Sequence, residues 1–149
     1  MPTENAQTLA IKCAEAMIER DIATRSLGVD LQWVKPGAAC LAMTVKEHMI
    51  QGHGTCHGGY LFTLADSAFA FACNSHDRAT VAQGCSIDYV SPADLGDRLV
   101  ATANEVSRSG RTGNYHVRIE TDNGRLVALF HGRSYELRGA VIQQENPHG

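Results

Sequence analysis

One carboxylate interrupts the most apolar stretch of this chain. Between Gly58 and Cys73 the only charged residue is Asp66. Burying a lone carboxylate is costly unless it is paired, hydrogen-bonded or protonated. Two readings follow: a structural acid satisfied by backbone donors or an arginine, or a nucleophile or general base lining a pocket. Just ahead of it stand His57, Gly58 and Gly59. The first N–H groups of a helix lack internal acceptors and carry partial positive charge. Glycine there lets a substrate reach the backbone. Together these are the parts of an oxyanion hole. A glycine pair alone also reads as loop flexibility; the nearby carboxylate favours the chemical reading.

Spacing constrains the chemistry. Gly59 and Asp66 lie two helical turns apart, about 10 Å along the axis. A carbonyl carbon must come within roughly 3–3.5 Å of its attacking group. One helix can hardly offer both groups to one substrate. The expectation is a composite site, with Gly58 from one subunit and Asp66 from its partner, repeated twice in an isologous dimer. Two other arrangements are weaker. Cys56 adjoins His57, but sequence neighbours seldom have the geometry of a nucleophile and its base. His53, Cys56 and His57 lack a second well-placed ligand pair for zinc, so no metal is expected. The other histidines form no readable pattern.

The elements that must position these groups can be read along the chain. Thr8 to Leu27 has a helical stripe of Leu9, Cys13, Ala16, Met17 and Ile22, stopped by Gly28. Val29 to Val34 and Ala38 to Val45 read as strands around Pro36-Gly37. Tyr60 to Cys73 reads as a helix ending at Asn74, apolar nearly all round and therefore central. Four runs of strand character follow: Thr80 to Val90, Arg98 to Ser107, Asn114 to Thr121 and Arg125 to Leu137. Asp122-Asn123-Gly124 is a hairpin signal between the last two. One long helix wrapped by a curved antiparallel sheet satisfies this order, which makes the chain α+β. A single domain spanning 1–149 is expected, with 1–7 and 140–149 poorly ordered.

Composition narrows the function classes. With 149 residues and a net charge of -3, the chain has neither the size of several domains nor the basic character of a nucleic-acid binder. No stretch approaches the ~18 apolar residues of a membrane span. The polar N-terminus shows no secretory signal. Five scattered cysteines, with no C-x-x-C, suggest reduced thiols in a cytoplasmic protein.

The segment Gly52-His53, then Cys56 through Ser75, resembles the signature of the PaaI subfamily of hot-dog thioesterases, enzymes of phenylacetic acid degradation. The likeness runs from about Met17 to Arg133. It includes Ala16-Met17, Glu19, Asp21, Leu27-Gly28, the run Asp88 to Pro92, Gly96-Asp97, Val127 to Phe130 and Gly132. It implies a hot-dog fold and hydrolysis of phenylacetyl-CoA and its ring-hydroxylated relatives. It also implies a homotetramer of two dimers. Asp66 would be nucleophile or base, the Gly58 N–H would polarise the thioester carbonyl, and His57 would hold the loop. No cofactor is expected beyond the coenzyme A of the substrate. Relatives often carry Asn where this chain has Arg20, which makes Arg20 a candidate for substrate specificity.

Coenzyme A brings phosphates, which suit arginine. Arg108, Arg111, Arg133 and Arg138 are candidates, Arg111 foremost. Gly59 would also meet substrate. Tyr60, Phe62, Phe69 and Phe71 are available for an apolar acyl pocket, Phe62 foremost. Two other functions fit the same reading: a hot-dog hydratase or dehydratase, although its characteristic loop is not seen, and a non-catalytic acyl-CoA-binding module.

Overall fold

The computed structural model describes residues 5–142. The remaining parts of the ends expected to be poorly ordered, 1–4 and 143–149, lie outside the described residues. Of those ends, residues 5–7 take part in the first helix and Val141 is buried.

Helix α1 spans Ala6–Arg20. Asn5 caps it by accepting from the Thr8 N–H at 2.7 Å. Ala10, Cys13 and Ala14, at helical spacing, face the interior. The single helix expected to Leu27 is broken at Asp21. The Asp21 N–H ends α1 on the Met17 carbonyl, and its carboxylate accepts from the Thr24 N–H to open α2, Ile22–Ser26. The break turns the chain, so Ile22, expected on the apolar stripe, is 72% exposed.

The strands are β1 (Asp30–Lys35), β2 (Ala38–Thr44), β3 (Thr80–Tyr89), β4 (Arg98–Ser109), β5 (Thr112–Thr121) and β6 (Leu126–Glu136). They form one antiparallel sheet in the order β1-β2-β4-β5-β6-β3. Gly37 turns β1 into β2 and Gly124 turns β5 into β6, both at positive φ that glycine adopts freely. Strand β3 lies at the sheet edge beside β6, and Val81, Tyr89 and the following Val90 are exposed there.

Helix α3, Gly58–Cys73, lies against this sheet, as expected of a hot-dog fold. Leu61, Leu64, Ala65, Ala68, Phe69, Phe71 and Ala72 are buried against Leu41, Met43, Leu99, Ala101, Tyr115, Val117 and Phe130, among others. Small residues on both sides allow close approach. A Cβ on Gly132 of β6 would stand 2.8 Å from the Phe69 ring, so only glycine fits there without movement. The helix is not enclosed all round. Gly59 is exposed, and Thr63, Asp66 and Ala70 are only partly covered. At 3.6 residues per turn they form one strip, and the Asp66 carboxylate belongs to it.

Candidate active site

The start of α3 is held by its own loop. Cys56 N–H donates to the Ala93 carbonyl at 2.8 Å and His57 N–H to the Met49 carbonyl at 2.7 Å. His57 is the N-cap, and its Nδ1 accepts from the Gly59 N–H at 2.9 Å. Accepting requires an unprotonated Nδ1, which fixes the tautomer of the neutral ring. The Tyr60 N–H donates to the His57 carbonyl at 3.0 Å. The Gly58 N–H has no acceptor among the described residues. The geometry therefore separates two glycines that look alike in the sequence. Gly59 spends its N–H on His57, and the Gly58 N–H meets no acceptor among the described residues.

Asp66 is half-buried. Burial raises its carboxyl above the usual carboxylate range. No hydrogen bond or ion pair engages it among the described residues. No fully buried side-chain polar atom lacks a partner among the described residues, so the Asp66 oxygens must reach solvent. A carboxylate of raised basicity, facing an uncovered strip of helix, is suited to accept a proton or to attack. Its charge acts on two thiols. Cys73 is pushed up to about 12, by burial first and by Asp66 in smaller measure, and exposed Cys85 of β3 is raised by the same two causes. Asp66 thus lies towards the β3 edge.

The other expected residues divide. The Phe62 ring packs edge-on to Phe130, with centroids 5.4 Å apart, and forms a half-buried apolar wall. Arg20 is engaged elsewhere: Nε donates to the Ala16 carbonyl at 3.2 Å and Nη2 to the Val141 carbonyl at 2.8 Å, tying α1 to the C-terminal segment. Arg111 sits in the β4–β5 turn and lines a narrow recess with Cys73 and His76, at the far end of α3. The helix has 16 residues, about 24 Å of rise, so one chain does not bring Arg111 to Gly58. The Cys56–His57 pair is not a nucleophile and its base. The thiol is pushed up to about 11 by burial and donates to the His57 carbonyl, while His57 Nδ1 is taken by Gly59. Among the described residues, no three His, Cys, Asp or Glu side chains are grouped to hold a metal ion.

Two contacts escaped the sequence reading. The Tyr89 hydroxyl donates to the Gly58 carbonyl at 3.1 Å. The Ser67 and Thr24 hydroxyls meet at 3.1 Å, joining α2 to the residue after Asp66. Each bridges residues far apart in the chain, and no local pattern marks them.

Residues 53–128, which contain both Gly58 and Asp66, match the Thioesterase superfamily. The chain is 44% identical over 128 residues to acyl-coenzyme A thioesterase PaaI of Escherichia coli strain K12, covering 86% of this chain and 91% of that protein. The solved structure of the E. coli PaaI protein from the phenylacetic acid degradation operon superposes with a TM-score of 0.90 at 42% identity, over 91% of this chain and 99% of that one. A hypothetical thioesterase of Streptococcus pneumoniae TIGR4, solved with coenzyme A, superposes with a TM-score of 0.71 at 25% identity, over 75% of this chain and 90% of that one. On this agreement of motif, fold and overall sequence, the chain belongs to the thioesterase superfamily.

Proposed function

We propose that this chain is an acyl-CoA thioesterase acting on phenylacetyl-CoA and its ring-hydroxylated relatives, through Asp66 and the Gly58 N–H. The observation that carries this reading is the pair of uncommitted groups on α3: a donor at its first residue and a carboxylate of raised basicity that reaches solvent. Water attacks the thioester carbonyl carbon and Asp66 takes its proton. The carbonyl oxygen becomes an oxyanion that accepts from the Gly58 N–H. Collapse expels the CoA thiolate, a good leaving group that needs no dedicated acid, and the proton returns to it or to solvent. Direct attack by Asp66, giving a mixed anhydride that water then opens, uses the same placement. Phe62 supplies part of the apolar wall beside the acyl group.

Gly58 and Asp66 are eight residues apart on one helix, about 12 Å along the axis. They meet one substrate only if each site draws on two subunits. The exposed edge strand β3, with Val81 and Val90 uncovered, offers a second copy a place to pair. A homo-oligomer of dimers in the cytoplasm, where cysteines stay reduced, is the matching assembly.

The test is release of CoA thiol from phenylacetyl, benzoyl and short aliphatic thioesters. The phenylacetyl series should be preferred. Subunit mixing tests the shared site. Gly58→Val and Asp66→Asn, each inactive alone, should together restore about a quarter of wild-type activity, since half of randomly paired dimers carry one intact site. No restoration places both groups in one chain. Enoyl-CoA hydration without thiol release, or tight binding without turnover, overturns the reading.

A further inference from the structure

A glycine pair is a soft place to mount a catalytic donor, because glycine has no side chain to anchor it. Yet a donor lowers a barrier only if it is aimed before the charge develops. The peptide between Gly58 and Gly59 is held at both ends. Its N–H donates to His57 Nδ1 at 2.9 Å, and its carbonyl accepts from the Tyr89 hydroxyl at 3.1 Å. The Tyr89 ring also occupies the place a Gly58 side chain would take: a Cβ there would stand 2.8 Å from both Cζ and the hydroxyl oxygen. Tyr89 lies 31 residues from Gly58, at the last position of β3, where it pairs with Ala128 of β6. The sheet thus reaches over to grip the first residue of the helix.

We propose that Tyr89 is a positioning residue for the Gly58 N–H, immobilising Gly58 by a hydrogen bond to its carbonyl and by ring contact on its Cα. This inference rests on the thioesterase reading of Gly58. His57 fixes the following N–H and Tyr89 fixes the carbonyl and the Cα. The one N–H left over then points outward in a single direction. The contacts of Tyr89 are with Gly58, so it acts on the rate through Gly58.

Tyr89→Phe removes the hydroxyl and keeps the ring; Tyr89→Ala removes both. With phenylacetyl-CoA, Tyr89→Phe should lower kcat about three- to tenfold, the worth of one hydrogen bond, with KM within about twofold. Tyr89→Ala should lose more in kcat. Amide exchange of Gly59, whose N–H is held by His57, should quicken in both variants. Tyr89→Phe keeps the ring, so it is expected to fold and assemble as wild type does; circular dichroism and gel filtration check this. An unchanged kcat in Tyr89→Phe, or a raised KM with kcat intact, overturns the proposal. If the wild type cleaves no thioester, the functional reading fails instead. The exchange rates still decide whether Tyr89 holds Gly58.

Discussion

The two ends of α3 differ in how their polar groups are spent. At the Cys73 end Asn74, Ser75 and Glu105 are all engaged. Asn74 donates to the Ala70 and Thr80 carbonyls at 2.9 and 3.1 Å and accepts from the Thr80 N–H at 2.9 Å. The Ser75 hydroxyl donates to the Ala72 carbonyl and accepts from the Gly37 N–H, both at 2.7 Å. Beyond them, Glu105 accepts from the Tyr115 hydroxyl at 2.7 Å and meets His76 Nε2 at 2.9 Å. At the Gly58 end one N–H is left open, and two turns further on a carboxylate has no partner among the described residues. The saturated end fixes the helix in its sheet. The unsaturated stretch holds the capacity to bind and react, at some cost in stability.

The carboxylates of the two regions should answer pH in opposite senses. Burial raises Asp66 above its ordinary value. Its contribution to stability is therefore fully present below the unfolded value and lost as pH rises through the folded one. Burial also acts to raise Glu105, but hydrogen bonds from Tyr115 and His76, with the charges of His76 and Arg108, outweigh it and hold the group below the ordinary 4.5. Its contribution is present above the unfolded value and lost as pH falls through the folded one.

The contrast can be broken by substitution. The largest effect is expected for Asp66→Asn. Activity should fall by about a thousandfold or more, roughly 4 kcal/mol of barrier. The melting temperature near neutral pH should rise, because an ionised, partly desolvated group is gone. A variant that stays active makes Asp66 structural; one that melts lower shows that its charge is paired. Next comes Asn74→Ala, which strips several bonds from a buried site. It should cost about 2–3 kcal/mol by urea unfolding, while kcat per folded molecule stays at the wild-type level. A large loss in kcat would mean that the two ends are not separable. The smallest effect belongs to Glu105→Gln, about 1 kcal/mol near neutral pH. It should shrink as pH falls below 4.5 and vanish below the folded value, where wild type and variant melt together. A gap that widens in acid would reverse the sign argued for Glu105.

Local pattern was enough for much of this molecule. The apolar run from Tyr60 to Cys73, its stop at Asn74, the strand runs and the Asp122-Asn123-Gly124 hairpin all depend on interactions between near neighbours, so they are legible one segment at a time. The same holds for the singularity of Asp66 and for the glycine pair. Boundaries moved where a side chain intervened: Asp21 cut the first helix in two because its carboxylate caps the next turn.

Other features depend on which strand lies beside which. His116 and His131 form no pattern along the chain, yet they stand opposite each other on β5 and β6 with rings 5.5 Å apart. Arg20 looked suited to substrate specificity and Arg111 to phosphate. Folding assigned one to the Val141 carbonyl and the other to the far end of α3. The sequence by itself determined the elements, the fold class and the chemical types at the start of the long helix, because propensity, periodicity and charge are local properties. Only the tertiary structure decided which glycine keeps its N–H, which face of α3 stays open around Asp66 and that Tyr89 grips Gly58. Each of these depends on atoms brought together across the sheet, and chain spacing carries no record of that distance.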